Sequence, residues 1–399
     1  MPAPRQALRL TLFVPDLLRP PPPADAFGAG SEADCPTLAG LLARGSFVRQ
    51  PLTSAEAALA ALFGLRPATP AAADKSAIAA LPFAALRLRG ENAPAAAPLA
   101  TQAGWLCADP VHLRLLHDRM VLADSHAFSI DDGEAQALVG RLNKHFAAHD
   151  GDLGAEFFAA ARDRWYVRLI ESSAGAARDH TAGRTAAPDL PPLSEVAGRS
   201  LRKHLPETAA LAPWRRLLLE AQMLLTADPV NAARAGRGEL PLNSLWLWGA
   251  GDPATPPAAP VFTQVWTDSP LARGLARHCG SAVQAMPASA SDRLAAGTGS
   301  GEHLVVCDSL IGPALLDDEA AWCAAVNDLE SQWFAPLATA LRGGTLHSLA
   351  VVAPTVLGLL HWQITPRDHW QFWRRPRPLA SLARELAASS GTTEARNPQ

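Results

Sequence analysis

The most distinctive chemistry in the chain lies between Asp228 and Gly251, in the run DPVNAARAGRGELPLNSLWLWGAG. A helix ends near Asp228-Pro229, Asn231 and Arg234 follow, and a strand from Asn243 to Trp248 leads into a Gly-x-Gly turn. Gly249 and Gly251 let backbone amides approach an anion, while Asn231, Arg234 and Asn243 supply hydrogen bonds to phosphate or carboxylate oxygens. The competing reading is a tight strand-to-loop turn with Arg234 on the surface, because Gly-x-Gly is common.

Other chemistry-bearing residues are scattered. Asp16 closes the apolar run Leu8 to Val14, at the strand end where α/β proteins hold ligands. His112, His117 and Asp118 have the side chains of a metal or acid–base cluster, but no helical spacing unites them, and they read as polar groups around a strand. Glu134, after Asp131 and Asp132, reads as an acid complementing a helix dipole. Cys307 neighbours Asp308 but follows HLVV, which makes it a core thiol. His361, Trp362, His369, Trp370 and Trp373 stand ahead of Arg374, Arg375 and Arg377. They read either as a tryptophan-rich layer over the sheet edge or as an aromatic, cationic surface for a protein partner or acidic ligand.

The elements that must position these groups alternate. Leu8 to Val14 reads as a buried strand, Pro36 to Gly45 and Ser54 to Leu62 as helices, and Pro82 to Leu88 as approaching strand character. From Gly104 come strand, loop and strand, an amphipathic helix over Gly133 to His149, and a strand at Arg164 to Ile170, so the middle block could fold around its own sheet. After a helix around Trp214 to Leu225, NSLWLWG, VFTQVW, HLVVCD and SLAVVAP read as strands interleaved with helices at Ser269 to Cys279 and Asp317 to Arg342. This order predicts an α/β fold with a mostly parallel sheet.

Composition sets the bounds. The chain has 399 residues, 48% apolar and 18% charged, with 35 Lys+Arg against 38 Asp+Glu. That excludes a disordered chain and a nucleic-acid binder relying on bulk positive charge. Five widely spaced cysteines without a C-x-x-C pair suggest reduced, cytoplasmic thiols. Leu349 to Leu360 is too short to span a bilayer, so no membrane segment is expected.

The Asp228–Gly251 run resembles the archaeal-type cofactor-independent phosphoglycerate mutases of the alkaline phosphatase superfamily. There a helix leads into H-P-V-N-x-x-R, then G-x-x-P-A-N, an apolar strand and a G-x-G turn. This chain has Asp228 for the His, then Pro229, Val230, Asn231, Arg234, Gly238, Pro241, Asn243, Gly249 and Gly251. A closer likeness is to a bacterial group named as phosphoglycerate mutases or Rpf-type regulatory proteins, which shares ADPVHL, LN-x-HF and NSLWLWG.

The resemblance implies a serine nucleophile and two divalent metals held by Asp and His. Asp16 stands where the family has its first metal-binding Asp, followed by Leu17 in place of Gly. The nucleophile motif P-G-S-D-x-A-H corresponds to LTSAEAALAALFGL, with Ala55 at the serine, Glu56 at the Asp and Ser54 one residue away. Asp308 stands for the Asp of a D-x-x-x-H whose His position is Gly312. A later D-H pair is replaced by Ala353 and Pro354, and His361 corresponds to the last His. Of the substrate-binding D-R-R-A-G-R run, Arg119 alone remains in register.

The expectation is therefore an alkaline phosphatase-like three-layer α/β core over residues 1–103 and 234–386, an inserted α/β domain over 104–233 and a flexible tail over 387–399. The scaffold is retained and the active site degraded, which implies a regulatory or binding protein holding a small phosphorylated or carboxylate ligand. It needs no cofactor in that state, and manganese, magnesium or zinc if an active mutase or phosphohydrolase survives on Ser54 and Asp16. A protein partner at the tryptophan-rich end is the other expected contact.

Overall fold

The computed structural model describes residues 7–20, 33–52, 54–66, 81–102, 104–116, 119–147, 154–170, 188, 190–199, 201, 211–251, 256–296, 300–371 and 373–394. His117 and Asp118 lie outside them. The chain divides into two compact units, Met1–Gly64 with Pro257–Gln399, and Leu65–Pro256. The boundaries expected at 103/104 and 233/234 fall inside the second unit.

Among the described residues the strands are β1 (Leu8–Phe13), β2 (Ser46–Gln50), β3 (Leu106–Leu116), β4 (Arg119–Ala123), β5 (Gly154–Ala161), β6 (Arg164–Ile170), β7 (Ser244–Trp248), β8 (Gln264–Trp266), β9 (Ala282–Gln284), β10 (Gly301–Val306), β11 (Ser348–Thr355) and β12 (Gly358–Ile364).

The first unit is a mixed α/β layer structure. Its sheet runs β2-β12-β11-β1-β10-β8-β9, with β11, β1, β10, β8 and β9 mutually parallel and the β11–β12 and β12–β2 pairs antiparallel. A central strand of such a sheet is covered on both faces, which is why the apolar runs at β10 and β11 do not alternate, whereas β1 alternates over Leu8–Leu12 and is buried on both faces only from there. Leu10, Leu12, Val14, Val305, Val351 and Trp362 share one buried cluster with the helices Pro36–Arg44 and Ala335–Arg342.

The helix expected over Asp317 to Arg342 starts at Glu319 and widens to a π turn at Glu330–Phe334, just before Pro336 removes a backbone donor. Within that turn the buried Glu330 accepts hydrogen bonds from the Thr37 and Leu38 amides at 2.7 and 2.8 Å. A carboxylate thereby satisfies the orphan donors that open the Pro36–Arg44 helix. The last helix runs Leu379–Glu394, so the polar residues from Ala387, expected to fray, continue it; residues 395–399 are outside the described set.

The second unit has a separate, antiparallel sheet: β3 pairs with β4, β6 and β7, and β5 with β6. β7 thus joins the sheet of the middle block, with Trp246 opposite Asp109, and does not lie in the parallel sheet of the first unit. Pro82 to Leu88, read as strand-like, is corrected to a helix, Phe83–Gly90. LPFAALRLRG fits both periods, and as a helix it lets Arg87 reach the internal carboxylate of Asp109.

Candidate functional site

In the first unit the candidate metal and catalytic residues occupy four different settings. Asp16 extends the β1 ladder, its amide donating to Pro354 O at 2.9 Å, and its backbone is left-handed at φ 57. Asp tolerates that conformation better than most residues. The Asp16 carbonyl accepts from Trp322 Nε1 at 2.9 Å. Asp308 follows β10, whose ladder continues to Cys307 N donating to Phe13 O at 2.9 Å. It is exposed beside a cavity of about 250 Å³ that is also lined by Asp268, Asp328 and Trp333. Asp16 and Asp308 therefore end adjacent parallel strands, the position in which such sheets hold ligands.

His361 is elsewhere. It sits in β12 opposite Val352, which is level with Phe13 of β1. Asp16 is three residues beyond that level, roughly 10 Å along the strand, and β12 is two strand spacings, about 10 Å, to the side. Burial holds the His361 imidazole below its ordinary pKa. Its Nε2 has no hydrogen-bond partner among the described residues. Ser54 is buried and is the N-cap of the helix Ala55–Leu62, its Oγ accepting from Ala57 N at 2.9 Å. Among the described residues no group of three or more His, Cys, Asp or Glu side chains is arranged to hold a metal ion. The donor chemistry does not fit a two-metal site built on Asp16, Asp308 and His361. Cys307 is a core thiol, as expected, pushed far up by burial and then by Asp308.

In the second unit the residues that looked ready for an anion are engaged within the chain. Asn231 Nδ2 donates to Leu225 O at 2.6 Å and Leu242 O at 2.9 Å, and its Oδ1 accepts from Leu242 N at 2.7 Å. Asn243 makes a matching pair with Leu113, accepting from its N–H at 2.7 Å and donating to its carbonyl at 2.9 Å. Arg234 is neither on the surface nor open to a ligand: it is 1% exposed. It donates to Glu134 Oε2 at 2.5 Å, Ser129 O at 2.7 Å and Leu240 O at 3.0 Å. Asp228 caps the helix Pro229–Gly236 through Val230 N and pairs with Arg141. Gly249 has φ +77, and a Cβ there would lie 2.9 Å from Ala84 N, so the glycine allows close packing of the Phe83–Gly90 helix. Gly251 is exposed, and Arg119 is exposed on β4.

The motifs ADPVHL and NSLWLWG meet in one buried network that sequence reading missed. Arg87 forks onto Asp109 at 2.7 and 2.8 Å, and its Nε donates to Tyr166 Oη at 2.8 Å. Trp248 Nε1 donates to Asp109 Oδ2 at 2.8 Å, and the guanidinium lies over the Tyr166 and Trp248 rings. Burial works against the Arg87 charge, yet Asp109 holds its pKa above the ordinary value. The signal available in sequence was an aspartate inside an eleven-residue strand and the lone tyrosine of the chain. His112 Nδ1 lies 2.8 Å from Pro241 O, and Glu134 serves both a helix first turn and Arg234.

No family model matches the chain. The chain is similar over part of its length to cofactor-independent phosphoglycerate mutases. It is 27% identical over 142 residues, 36% of this chain and 30% of the relative, to the 2,3-bisphosphoglycerate-independent phosphoglycerate mutase of Methanosarcina barkeri. It is 32% identical over 141 residues, 35% of this chain and 31% of the relative, to a probable enzyme of the same name from Geobacter sulfurreducens. The chain thus spans about a third of the length of these curated relatives. Its fold is similar to that of the PH0037 protein of Pyrococcus horikoshii, with TM-score 0.52 at 13% identity and 99% of each chain covered. A Thermoplasma acidophilum cofactor-independent phosphoglycerate mutase aligns over 90% of each chain with TM-score 0.40 and 16% identity. No helix among the described residues is long and apolar enough to cross a membrane.

Proposed function

We propose that this chain is a phosphoglycerate mutase-like protein of alkaline phosphatase type that has lost metal-dependent phosphoryl transfer and acts as a binding or regulatory protein. The observation that carries this reading is the donor set: Asp16, Asp308 and His361 belong to no three-donor group among the described residues. The engaged Ser54 hydroxyl supports it, as a cap whose Oγ accepts a backbone N–H. Phosphoryl transfer in such a site needs a metal-activated nucleophile and charge neutralisation on the transferring oxygens. The likeness to Rpf-type regulatory proteins is part of the same proposal, as is a cytoplasmic setting.

One arrangement favours a second reading, an active mutase or phosphohydrolase with a rearranged site. Asp16 and Asp308 end neighbouring parallel strands, and Asp308 faces a cavity. Metal content separates the two. The purified chain is dialysed against manganese, magnesium and zinc salts, desalted and analysed for bound metal. The binding reading predicts far less than one equivalent, unchanged in Asp16→Ala. One or two equivalents that Asp16→Ala removes would establish the rearranged site.

A further inference from the structure

A groove of about 990 Å³ opens on the first unit between the helices Pro36–Arg44 and Leu379–Glu394. Phe47 and Trp362, with rings 4.9 Å apart, form its floor, Ala39 and Ala43 one wall, and Leu382 and Leu386 the other. Each wall thus presents residues four apart, the spacing of one helix face. Phe47 and Trp373, which also lines the groove, are 41% and 66% exposed. Large aromatic side chains left open beside an apolar channel are the usual anchors of protein interfaces.

The charge of the lining is unbalanced. Arg374, Arg375 and Arg377 line the groove against one carboxylate, Glu385, which pairs with Arg377. Arg374 donates to the Arg44 and Gly45 carbonyls at 3.3 and 3.4 Å, and neither it nor Arg375 forms an ion pair among the described residues. Its volume is about that of two turns of a helix some 10 Å across.

We infer that this groove docks an acidic amphipathic helix of a partner protein. The apolar face of that helix packs between Ala43 and Leu382 onto Phe47, and its carboxylates or negative C-terminal end meet Arg374 and Arg375. The inference does not depend on the loss of phosphoryl transfer.

The probe is a fluorescein-labelled sixteen-residue helical peptide with leucines at i, i+3, i+4 and i+7 and glutamates elsewhere, titrated with the full chain and read by anisotropy. A second peptide has lysine for every glutamate. The acidic peptide is expected to bind, at least tenfold more weakly to the double variant Arg374→Glu/Arg375→Glu and more weakly as salt is raised. The basic peptide is expected not to bind. Both arginines are exposed, and thermal unfolding checks that the double variant is folded. Ala43→Phe, which fills the channel without changing charge, should weaken the acidic peptide as well. Equal binding of both peptides, no binding of the acidic one, or undiminished binding to the double variant would overturn the proposal. So would sedimentation showing that the chain covers this groove with a second copy of itself.

Discussion

A guanidinium taken out of water must have its charge answered, and Arg87 and Arg234 are answered alike, by a carboxylate on another element. Removing one member of such a pair leaves the other buried and uncompensated, at a cost of about 3–5 kcal/mol. Asp109→Ala should therefore lower the unfolding free energy by about that much in urea, since Arg87 loses its carboxylate and Trp248 its acceptor. The double variant Arg87→Met/Asp109→Leu should recover much of the loss, and a single variant as stable as the parent would contradict the role given to the pair. A different case is His303, 1% exposed and 2.5 Å from Arg293 Nη2, whose pKa is lowered to about 4, mainly by burial and then by Arg293. The unfolded chain, with a histidine value near 6.5, takes up the proton first as pH falls. Its contribution is thus complete above about pH 6.5 and is lost progressively toward about pH 4. Denaturant midpoints measured between these pH values should fall more steeply for the parent than for His303→Gln, and parallel slopes would count against it.

At the scale of elements, the strands and helices that were legible are those with strong punctuation. Pro36 and Gly45 bracket the first helix, and Ser54 and Ser269 cap the helices that follow them. What was not legible is which sheet a buried strand joins. SLWLW is apolar on both faces, and its decisive contact, Trp248 to Asp109, links residues 139 apart in the chain. The same limit explains the Asn231, Arg234 and Asn243 pattern, because residue types that hold an anion equally well hold a carbonyl or a carboxylate of the protein itself. Gly249 shows the consequence for the G-x-G turn. Gly249→Ala meets the Ala84 amide at 2.9 Å in a left-handed backbone, and a loss of about 1–3 kcal/mol is expected, against within about 0.5 kcal/mol for Gly251→Ala. Similar melting curves for the two variants would show that the turn is not held by that close approach.

At the scale of the molecule, a mostly parallel sheet in one unit and an antiparallel sheet in the other account for the α/β character, and the similarity to phosphoglycerate mutases runs through about a third of the chain. Asp228, Asn231, Arg234, Asn243 and Gly249, which carry the resemblance, make contacts that hold the second unit together. Where the resemblance implies a nucleophilic serine and metal ligands, the chain has Ala55, Gly312, Ala353 and Pro354, and Asp16, Asp308 and His361 form no three-donor group among the described residues. On the proposed reading the scaffold persists because packing and capping constrain a sequence independently of catalysis. The most direct test is turnover: interconversion of 2- and 3-phosphoglycerate and hydrolysis of p-nitrophenyl phosphate by the full chain with manganese, magnesium or zinc, beside Asp16→Ala and Ser54→Ala. The account predicts no metal-dependent turnover above that of the two variants, and robust turnover abolished by Asp16→Ala would contradict it.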